Sequence, residues 1–470
     1  MIVEGAAMQF CTVTSLIYGE HEGLYFLLTG AVSAILGVLA VKVKKPKKMV
    51  LYQKAGFVAT ALSWILLALI GAMPFWLSHE IPNFADAMFE TISGFTTTGA
   101  TIIPEVEKLS HGMLMWRSLM NFLGGMGVIV FLLALIPRLG GQQNIFLMKA
   151  ESPGPIIGKA VPHMRQYAAL LYGIYIGMTL LEFILLICGG MGVFDAINTS
   201  FATAGTGGFG VRNTNIAAYN TYYFQTVIAI FMMLFGVNFS VYILIIARKF
   251  KQAIKIEELW YYFGFIVVST VIIGINILPI YHNDPHEAFH QSFFYVSSII
   301  TTTGFGIGDV NHWPTLSKSI IIIITFIGAM AGSTGGGFKV SRLVLLAKEV
   351  KKEFKLLVHP RNVRVVKMDG KSIDHNIMRN TSVYLVVYLS IFLLSFMVVS
   401  IEGLDVETSF TSVAATLNNT GPGLGLVGPV GNYAPMSLLS KIVLMFDMLA
   451  GRLELFPVLL LFVPRVWKKA

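Results

Sequence analysis

The chain has 470 residues, of which 55% are hydrophobic and only 13% are charged, and its mean hydropathy is +0.72. Because a soluble domain carries about a quarter charged residues, this composition excludes an ordinary soluble protein and indicates a polytopic membrane protein. The net charge of +9 does not predict a nucleic-acid partner, since Lys and Arg form short clusters between apolar runs, as in the cytoplasmic loops of membrane proteins.

The N-terminal residues do not have the pattern of a cleavable signal peptide, because they lack a basic start and include Glu4. We expect residues 5–18 to form a short, partial or tilted span. The two cysteines, Cys11 and Cys188, both lie in apolar surroundings, which argues against a disulfide or a cysteine-based metal site.

Longer apolar runs follow, each with roughly the 20 residues that a helix needs to cross a bilayer. They lie near residues 24–41, 55–77, 113–137, 167–191, 222–247, 260–281, 317–347, 380–401 and 436–463. Basic clusters within 42–48, 137–165, 247–255, 348–367 and 464–469 are assigned to the cytoplasm. After Lys48, two spans separate each cluster from the next, so the chain leaves and re-enters the cytoplasm four times.

A third, weaker segment lies between the two spans of every pair and is too short to cross the membrane. Each such segment ends in a Thr-Gly pair, and the four glycines are Gly99, Gly207, Gly304 and Gly421. Their spacing of roughly a hundred residues indicates an internal repeat with all copies in one orientation. The expected boundaries are 1–48 for an N-terminal region and 49–150, 151–255, 256–367 and 368–470 for the four repeats.

The predicted fold class is therefore an all-α polytopic membrane protein. Four parallel units, each made of a membrane helix, a pore helix and a second membrane helix, would surround a central ion pathway, preceded by an N-terminal extra helix or helices. Irregular backbone at membrane depth must be buried or line a water-filled cavity. Four converging Thr-Gly loops satisfy that condition.

Such loops have a specific chemical use, because rings of backbone carbonyls replace the hydration shell of a monovalent cation. Glycine permits the necessary backbone dihedrals, and the negative C-terminal ends of the pore helices point toward the ion. The loops themselves contain no acidic residue, since Asp86 and Glu90 precede the first one. This favours potassium over divalent cations. The alternative is that the loops are extracellular turns with packing glycines.

The sequence HEAFH at 286–290 matches the H-E-x-x-H pattern of zinc proteases, with His286, Glu287 and His290 as the candidate residues. A zinc site of that kind needs a third ligand and an open coordination position, and no zincin-like follow-on motif is present. We therefore interpret HEAFH as the segment that leads into the third pore helix, and expect no zinc. An intramembrane zinc protease stays as a remote alternative.

A glycine-rich stretch, GAMAGSTGGGFKVSRL at 328–343, interrupts the apolar run 317–347. Its glycines predict a break into two half-helices joined by a flexible loop just below the carbonyl rings, where it would obstruct the pore. Lys339 is costly at that depth unless it faces water or a partner. The alternative is a close helix–helix contact that uses small residues.

Arg452 lies in the last apolar run, near Asp447 and Glu454. A cation within a membrane span indicates a function by default, and below a cation filter it would act as an electrostatic barrier. The alternative is a structural ion pair with one of those two acids, and both roles are compatible.

Together these stretches resemble the Trk/Ktr/HKT superfamily of potassium transporters, and most closely its TrkH subfamily. The resemblance extends from about residue 50 to 465. The motifs that carry it are TTTGAT (96–101), GGMGVIV (124–130), ESPGP (151–155), GTGGFG (205–210), TTTGFG (301–306), GSTGGGFK (332–339), NNTGPGLG (418–425) and GRLELF (451–456).

The resemblance implies a potassium filter and an intramembrane gate at matching positions. The filter falls on Thr97, Thr98, Gly99, Gly205, Thr206, Gly207, Thr302, Thr303, Gly304, Asn419, Thr420 and Gly421. The gate falls on Gly332, Ser333, Thr334, Gly335, Gly336, Gly337, Lys339 and Arg452. Sodium-selective plant members have Ser at the first filter glycine, so Gly99 favours potassium. Ala-Gly before Thr206 and Asn-Asn before Thr420 make the ring fourfold only in its backbone.

The resemblance also implies a setting and partners. The chain would be a homodimer in the lipid of the bacterial cytoplasmic membrane, regulated by a cytosolic TrkA-type nucleotide-binding ring. No covalent cofactor is expected; K⁺ is the transported ion, with Rb⁺ as its surrogate, and ATP, ADP or NAD(H) would act only through the partner. Uptake would be channel-like and not enzymatic, and the main alternative is a sodium- or proton-coupled potassium symporter.

Overall fold

The computed structural model describes residues 1–43, 53–127, 164–360 and 365–467. These residues are mostly helical, and the strands described among them form one short antiparallel hairpin that pairs Lys367–Met368 with Lys371–Ser372. Two N-terminal helices, Ile2–Tyr18 and Gly23–Val43, precede four units of similar construction. The predicted all-α polytopic membrane fold is confirmed.

Each unit consists of an outer helix, a short helix and an inner helix. The outer helices are Gln53–Gly71, Met164–Cys188, Glu257–Ile277 and His375–Ser400. The short helices are Phe84–Phe95, Val193–Gly205, Pro285–Ile300 and Val406–Leu417. The inner helices are His111–Gly125, Tyr222–Phe235, Thr315–Ile327 and Leu438–Arg452. Having at most 16 residues, the short helices cannot cross a hydrocarbon core of about 30 Å.

The remaining helical segments are brief, apart from one helix of 19 residues. They are Met73–Leu77, Phe239–Ile246, Phe250–Ile254, Val340–Val358, Phe456–Leu460 and Pro464–Trp467. Single 3₁₀ turns occupy Val106–Lys108, Asn215–Ala218, Val310–His312 and Gly425–Val427. Among the described residues, five helices are long and apolar enough to cross a membrane, and one bent pair would add a sixth.

The short helices begin at polar residues that cap their first turn. The side chains of Asn83, Asp284 and Asp405 accept backbone N–H groups two or three residues ahead. Such caps satisfy N–H groups that have no partner inside the helix. The start of three short helices is thus fixed locally by the sequence, whereas the second short helix has Gly192 at its N-cap and no side-chain cap.

The inner helices depart from the straight spans that the apolar runs predicted. The expected helix 222–247 bends by 90° between Phe235 and Phe239, and the expected helix 436–463 is interrupted after Arg452 by two residues of positive φ, Glu454 and Leu455. The break predicted within 317–347 is present, between Ile327 and Val340. The expected helix 113–137 is observed over His111–Gly125, and the part of that prediction beyond residue 127 lies outside the described residues.

The apolar side chains form two large buried clusters. One joins the N-terminal helices with the first and fourth units, and the other joins the second and third units. Large apolar side chains such as Leu28, Val267 and Leu394 are more than half exposed on the outside of the helices. In a membrane protein this surface faces lipid, so its exposure has no cost.

The N-terminal helix is longer than expected, because it extends over Ile2–Tyr18. A β-carbon at Gly5 would overlap the carbonyl oxygen of Gly30, so small residues bring the two N-terminal helices into close contact. Beyond this pair, Glu20 accepts the backbone N–H of His111 at 2.8 Å and that of Gly112 at 3.2 Å. The carboxylate thus sits at the positive end of the first inner helix.

We predict that Glu20→Ala loosens the N-terminal helices from the first unit. The substitution removes the acceptor for two backbone N–H groups and for Nδ1 of His111, which is 2.7 Å away. We expect the free energy of unfolding to fall by about 1–3 kcal/mol, measured as a lower thermal midpoint in detergent. Glu22→Ala on the same turn is the control, and equal midpoints for both variants would contradict the prediction.

Candidate ion pathway

The four loops that follow the short helices share one backbone conformation. In each loop a residue in the left-handed region is followed two positions later by a glycine of positive φ. The left-handed residues are Thr97, Thr206, Thr302 and Asn419, with φ of 54°, 53°, 57° and 54°. The glycines are Gly99, Gly208, Gly304 and Gly421, with φ of 79°, 69°, 81° and 90°. Residues other than glycine rarely adopt a φ in this range. Its recurrence at the same position of all four loops therefore indicates one shared backbone structure.

The residue between these two also makes the same hydrogen bond in every loop. Its N–H donates to the carbonyl five residues back, at 2.8–2.9 Å. The pairs are Thr98 with Ser93, Gly207 with Ala202, Thr303 with Ser298, and Thr420 with Ala415. The same backbone hydrogen bond therefore connects each short helix to its loop, and the loops begin with the same geometry.

The loops close into a ring, because each glycine lies against the carbonyl oxygen of the next loop. A β-carbon at Gly99 would overlap the carbonyl oxygen of Gly207, and one at Gly208 that of Thr303. Likewise, a β-carbon at Gly304 would overlap the carbonyl oxygen of Thr420, and one at Gly421 that of Thr98 in the first loop. Contacts that run from unit one to two, three, four and back to one require a common axis.

A cavity of about 110 Å³ lies against this ring and is lined by all four glycines. Arg212 and Tyr433, from loops after the short helices, also line it. Asp195 lies 3.5 Å from Arg212 and raises the pKa of the guanidinium, so Arg212 is cationic at any physiological pH. The residues that line the cavity follow the left-handed positions of the four loops, so the cavity opens on the side of the ring away from the short helices.

The structure corrects the expected register of the second loop by one residue. The repeat placed Gly207 opposite Gly99, whereas the backbone places Gly208 there and puts Gly207 opposite Thr98. The reason is that the second short helix ends at Gly205, so that Thr206 takes the left-handed position. The Gly-Phe-Gly sequence shared by 208–210 and 304–306 is the signal that gives the correct alignment.

The side chains behind the ring differ between loops, as expected. Hydroxyl groups two residues apart contact each other at 2.8 Å in the first and third loops, Thr96 with Thr98 and Thr301 with Thr303. The second loop has glycine at both equivalent positions, Gly205 and Gly207. In the fourth loop, Asn419 donates its amide to Thr98 Oγ1 at 3.0 Å and to the Met448 carbonyl at 2.9 Å.

A buried ion pair behind the first loop was missed by the sequence reasoning. Arg117 Nε lies 2.8 Å from Glu90 Oε1, and both side chains are buried. Glu90 accepts the N–H of Ile102 at 3.0 Å, and Arg117 donates to the carbonyl of Gly210 at 2.9 Å. The pair therefore connects the first loop with the second. The available signal was a cation inside an apolar run.

The glycine-rich segment, residues 328–339, lies directly against the ring on the side where the short helices end. Gly336 donates its N–H to Thr302 Oγ1 at 2.6 Å. A β-carbon at Gly335 would lie 2.7 Å from the carbonyl oxygen of Thr301, and one at Gly336 would lie 2.5 Å from that of Asn418. The absence of side chains lets this backbone touch the third and fourth loops.

The other residues of the predicted gate hold the segment in place. Gly332 accepts the N–H of Phe239 at 3.0 Å, Ser333 Oγ donates to Met330, and Thr334 Oγ1 donates to Phe235. Gly337 has a φ of 79° and packs on Gly328. Lys339 is buried and donates its ammonium to the Gly335 carbonyl, so it folds back onto its own loop.

Arg452 connects this segment to the end of the first inner helix. Its guanidinium donates to the carbonyls of Thr334 at 2.8 Å and Gly125 at 2.7 Å, and also to Gly124. Of the two acids considered as its partners, Glu454 pairs with Arg342 and Asp447 accepts a hydrogen bond from Ser395. The contacts described for Arg452 are therefore to backbone carbonyls.

The HEAFH segment forms the start of the third short helix, as interpreted. Glu287 accepts hydrogen bonds from Tyr222 and Gln291, and His290 Nε2 lies 2.8 Å from Gln225 Oε1. Within the described parts of the chain, no group of three or more His, Cys, Asp or Glu side chains is placed to hold a metal. These residues thus provide no third zinc ligand.

Four loops of one conformation around a common axis, within a multi-pass membrane protein, indicate the class of cation transporters. A family model described as "Cation transport protein", TrkH, matches residues 23–469. The chain belongs to the TrkH family, which is a family of transporters and not of enzymes, and it is a multi-pass protein of the cytoplasmic membrane.

Similar proteins agree with this assignment. The Trk system potassium uptake protein TrkH of Escherichia coli K12 is 36% identical over 466 residues, which cover 97% of this chain and 95% of the relative. TrkG of the same organism, also a Trk system potassium uptake protein, is 33% identical over 97% and 94%. The crystal structure of the potassium transporter TrkH from Vibrio parahaemolyticus has a TM-score of 0.88 at 30% identity, covering 99% of this chain and 97% of that one.

We predict that Gly208→Ala disrupts the ring, whereas Gly210→Ala does not. Alanine at 208 has an unfavourable positive φ, and its β-carbon would overlap the Thr303 carbonyl. At 210 the nearest atom would be Asn215 Cγ at 3.3 Å. Overpacking costs about 1–3 kcal/mol, so we expect preference for potassium over sodium to fall roughly tenfold. Competition by the two ions against ⁸⁶Rb⁺ uptake measures this. Wild-type preference in Gly208→Ala would refute the ring register.

Proposed function

We propose that the protein mediates potassium uptake across the bacterial cytoplasmic membrane through the ring of four loops. The supporting observation is the closed series of contacts between a glycine of each loop and the carbonyl of the next. With the register that the backbone gives, the central residues of the filter are Thr98, Gly207, Thr303 and Thr420. Relatives named as potassium uptake proteins support the same assignment.

The chemistry of the ring favours a monovalent ion. Backbone carbonyls carry partial charges and replace the water of a weakly hydrated cation, whereas divalent cations require carboxylates. The four short helices end at the ring, so their negative C-terminal ends add to the attraction. An inside-negative membrane potential supplies about 2.3 kcal/mol per charge for each 100 mV, so inward flow needs no chemical step.

We propose that residues 332–337 with Lys339 and Arg452 form the gate. The segment touches the ring from below, and Arg452 fastens it to the first inner helix. A cation that leaves the filter would meet the backbone of residues 332–337 and the positive charges of Lys339 and Arg452. These contacts support the proposal that the pathway is closed in this conformation.

Uptake of ⁸⁶Rb⁺ into proteoliposomes that hold a potassium gradient tests the transport proposal. We expect uptake driven by the gradient alone, blocked far better by added potassium than by sodium. The reason is that a carbonyl ring discriminates by hydration and not by coupling to another ion. Uptake that requires a sodium or proton gradient would contradict channel-like transport and establish a symporter.

Shortening the gate provides the internal control. Removal of Gly335 and Gly336 withdraws the backbone that contacts the third and fourth loops, so we expect faster uptake with the same ion preference. Slow uptake by the wild type with fast uptake by the shortened variant identifies a closed gate. If both remain inactive although correctly folded, the proposed pathway is wrong.

We also propose that the protein works as a homodimer with a cytosolic TrkA-type nucleotide-binding ring, through which ATP, ADP or NAD(H) would act. The cytosolic helix Val340–Val358 offers a docking surface, because Lys351 and Lys355 are exposed beside Phe354, which is 66% exposed. Lys352 on the same helix pairs with Glu349 at 2.6 Å. A basic and apolar face suits a partner with an acidic, partly apolar surface.

Reversing Lys351, Lys352 and Lys355 to Glu is predicted to weaken binding of the partner ring, because it replaces attraction by repulsion. Co-elution of the detergent-solubilised protein with the ring measures the effect. The exposed residues Lys249, Lys251 and Lys255, reversed together, provide a control of equal charge. Unchanged binding in the first variant would reject this docking surface.

A further inference from the structure

Glu258 holds both ends of the glycine-rich segment with one carboxylate oxygen. Its Oε1 accepts the N–H of Ala331 at 2.8 Å and the N–H of Ser341 at 3.0 Å. Ala331 immediately precedes Gly332, and Ser341 lies two residues after Lys339. The residue lies in the first turn of the third outer helix and is only 4% exposed. A buried carboxylate is rare and costly unless it is bonded in this way.

The two ends are also joined by backbone hydrogen bonds. The N–H of Lys339 donates to Ile327 at 3.0 Å, and that of Val340 donates to Ala329 at 3.1 Å. These bonds form a narrow neck through which the chain enters and leaves the segment. Glu258 adds the charged bonds at this neck, and hydrogen bonds to a charged acceptor are stronger than those between neutral groups.

Glu257, the residue before Glu258, connects the same helical turn to the cytosolic surface. Glu257 accepts the N–H of Asp369 at 3.0 Å and donates its own N–H to Asp369 Oδ1 at 2.8 Å. Its carboxylate also binds Lys348, whose ammonium reaches the Lys367 carbonyl at 2.8 Å. Adjacent residues of one turn thus bind the neck of the segment, the cytosolic helix and the hairpin 367–372.

We infer that Glu258 is a positioning residue that keeps the glycine-rich segment under the ring, and that Glu257 couples it to the cytosolic helix and hairpin. This inference rests on the proposed function, in which that segment is the gate. A displacement of the hairpin or of the helix Val340–Val358 would move the turn and with it the neck. The arrangement gives a cytosolic partner a mechanical route to the gate without contact with the filter.

The test compares three substitutions of Glu258 by ⁸⁶Rb⁺ uptake without any partner. Glu258→Ala removes the acceptor, and Glu258→Asp keeps the charge but is too short to reach both N–H groups. We expect uptake to rise roughly tenfold in both. Glu258→Gln keeps an acceptor oxygen of full reach but loses the charge, so we expect its uptake to lie between that of the wild type and that of Glu258→Ala. Potassium over sodium preference should be the same in all, because no filter residue is altered.

A second comparison examines the coupling. Glu257→Ala loosens the same turn, so we expect it to raise uptake less than Glu258→Ala does. The double variant should exceed Glu258→Ala by less than the product of the two single effects, as is usual for residues that act through one element. A fully multiplicative double variant would contradict coupling through this turn.

The outcomes separate the inference from the proposed function. If the shortened gate raises uptake but Glu258→Ala and Glu258→Asp do not, the inference is overturned and the gate stands. If the shortened gate also leaves uptake unchanged, the gate proposal fails and the inference fails with it. Size-exclusion elution confirms that each variant is folded. If Glu258→Ala does not fold, uptake by Glu258→Asp alone tests the inference.

Discussion

The arrangement of the whole molecule depends on the close approach of each loop glycine to the carbonyl of the neighbouring loop. A side chain at any of these four positions would overlap that oxygen, and each glycine has a positive φ that other residues rarely adopt. The ring can close only if the four short helices end at the same depth. The caps, the packing of the outer helices and the two apolar clusters serve to place those four ends.

Below the ring, the dominant constraint is that carbonyl groups within a membrane need donors. The first inner helix ends at Gly125 and leaves carbonyls without helical partners. Arg452 donates to two of them and to the glycine-rich segment. One guanidinium therefore completes a helix end, and in the proposed pathway it would also place a positive charge below the ring, so the structural role and the proposed barrier are compatible. Glu258 acts in a similar way from the opposite side, as an acceptor for N–H groups of the same segment.

Much of this fold is predictable from local pattern, because hydropathy, basic clusters and glycine-rich breaks act over short distances. The break after Ile327 belongs to this group. The register of the second loop was not predicted, because a Thr-Gly pair does not reveal that the helix ends at Gly205 and leaves Thr206 left-handed. The 90° bend after Phe235 lies in an apolar run that contains no proline, and the only local signal is Gly236 followed by Asn238, which caps the next helix. The pairing of Glu90 with Arg117 is visible only once the helices are assembled.

The four loops differ in side chain but belong to a single gene product, and this has a consequence for how such a protein changes over generations. In a pore assembled from four identical subunits, every mutation appears four times, so selectivity shifts in large jumps. Here a mutation alters one quadrant and leaves three as a scaffold. If the ring is the filter proposed here, the glycine pair of the second loop and the asparagine pair of the fourth are sites at which substitutions would change ion preference in small increments.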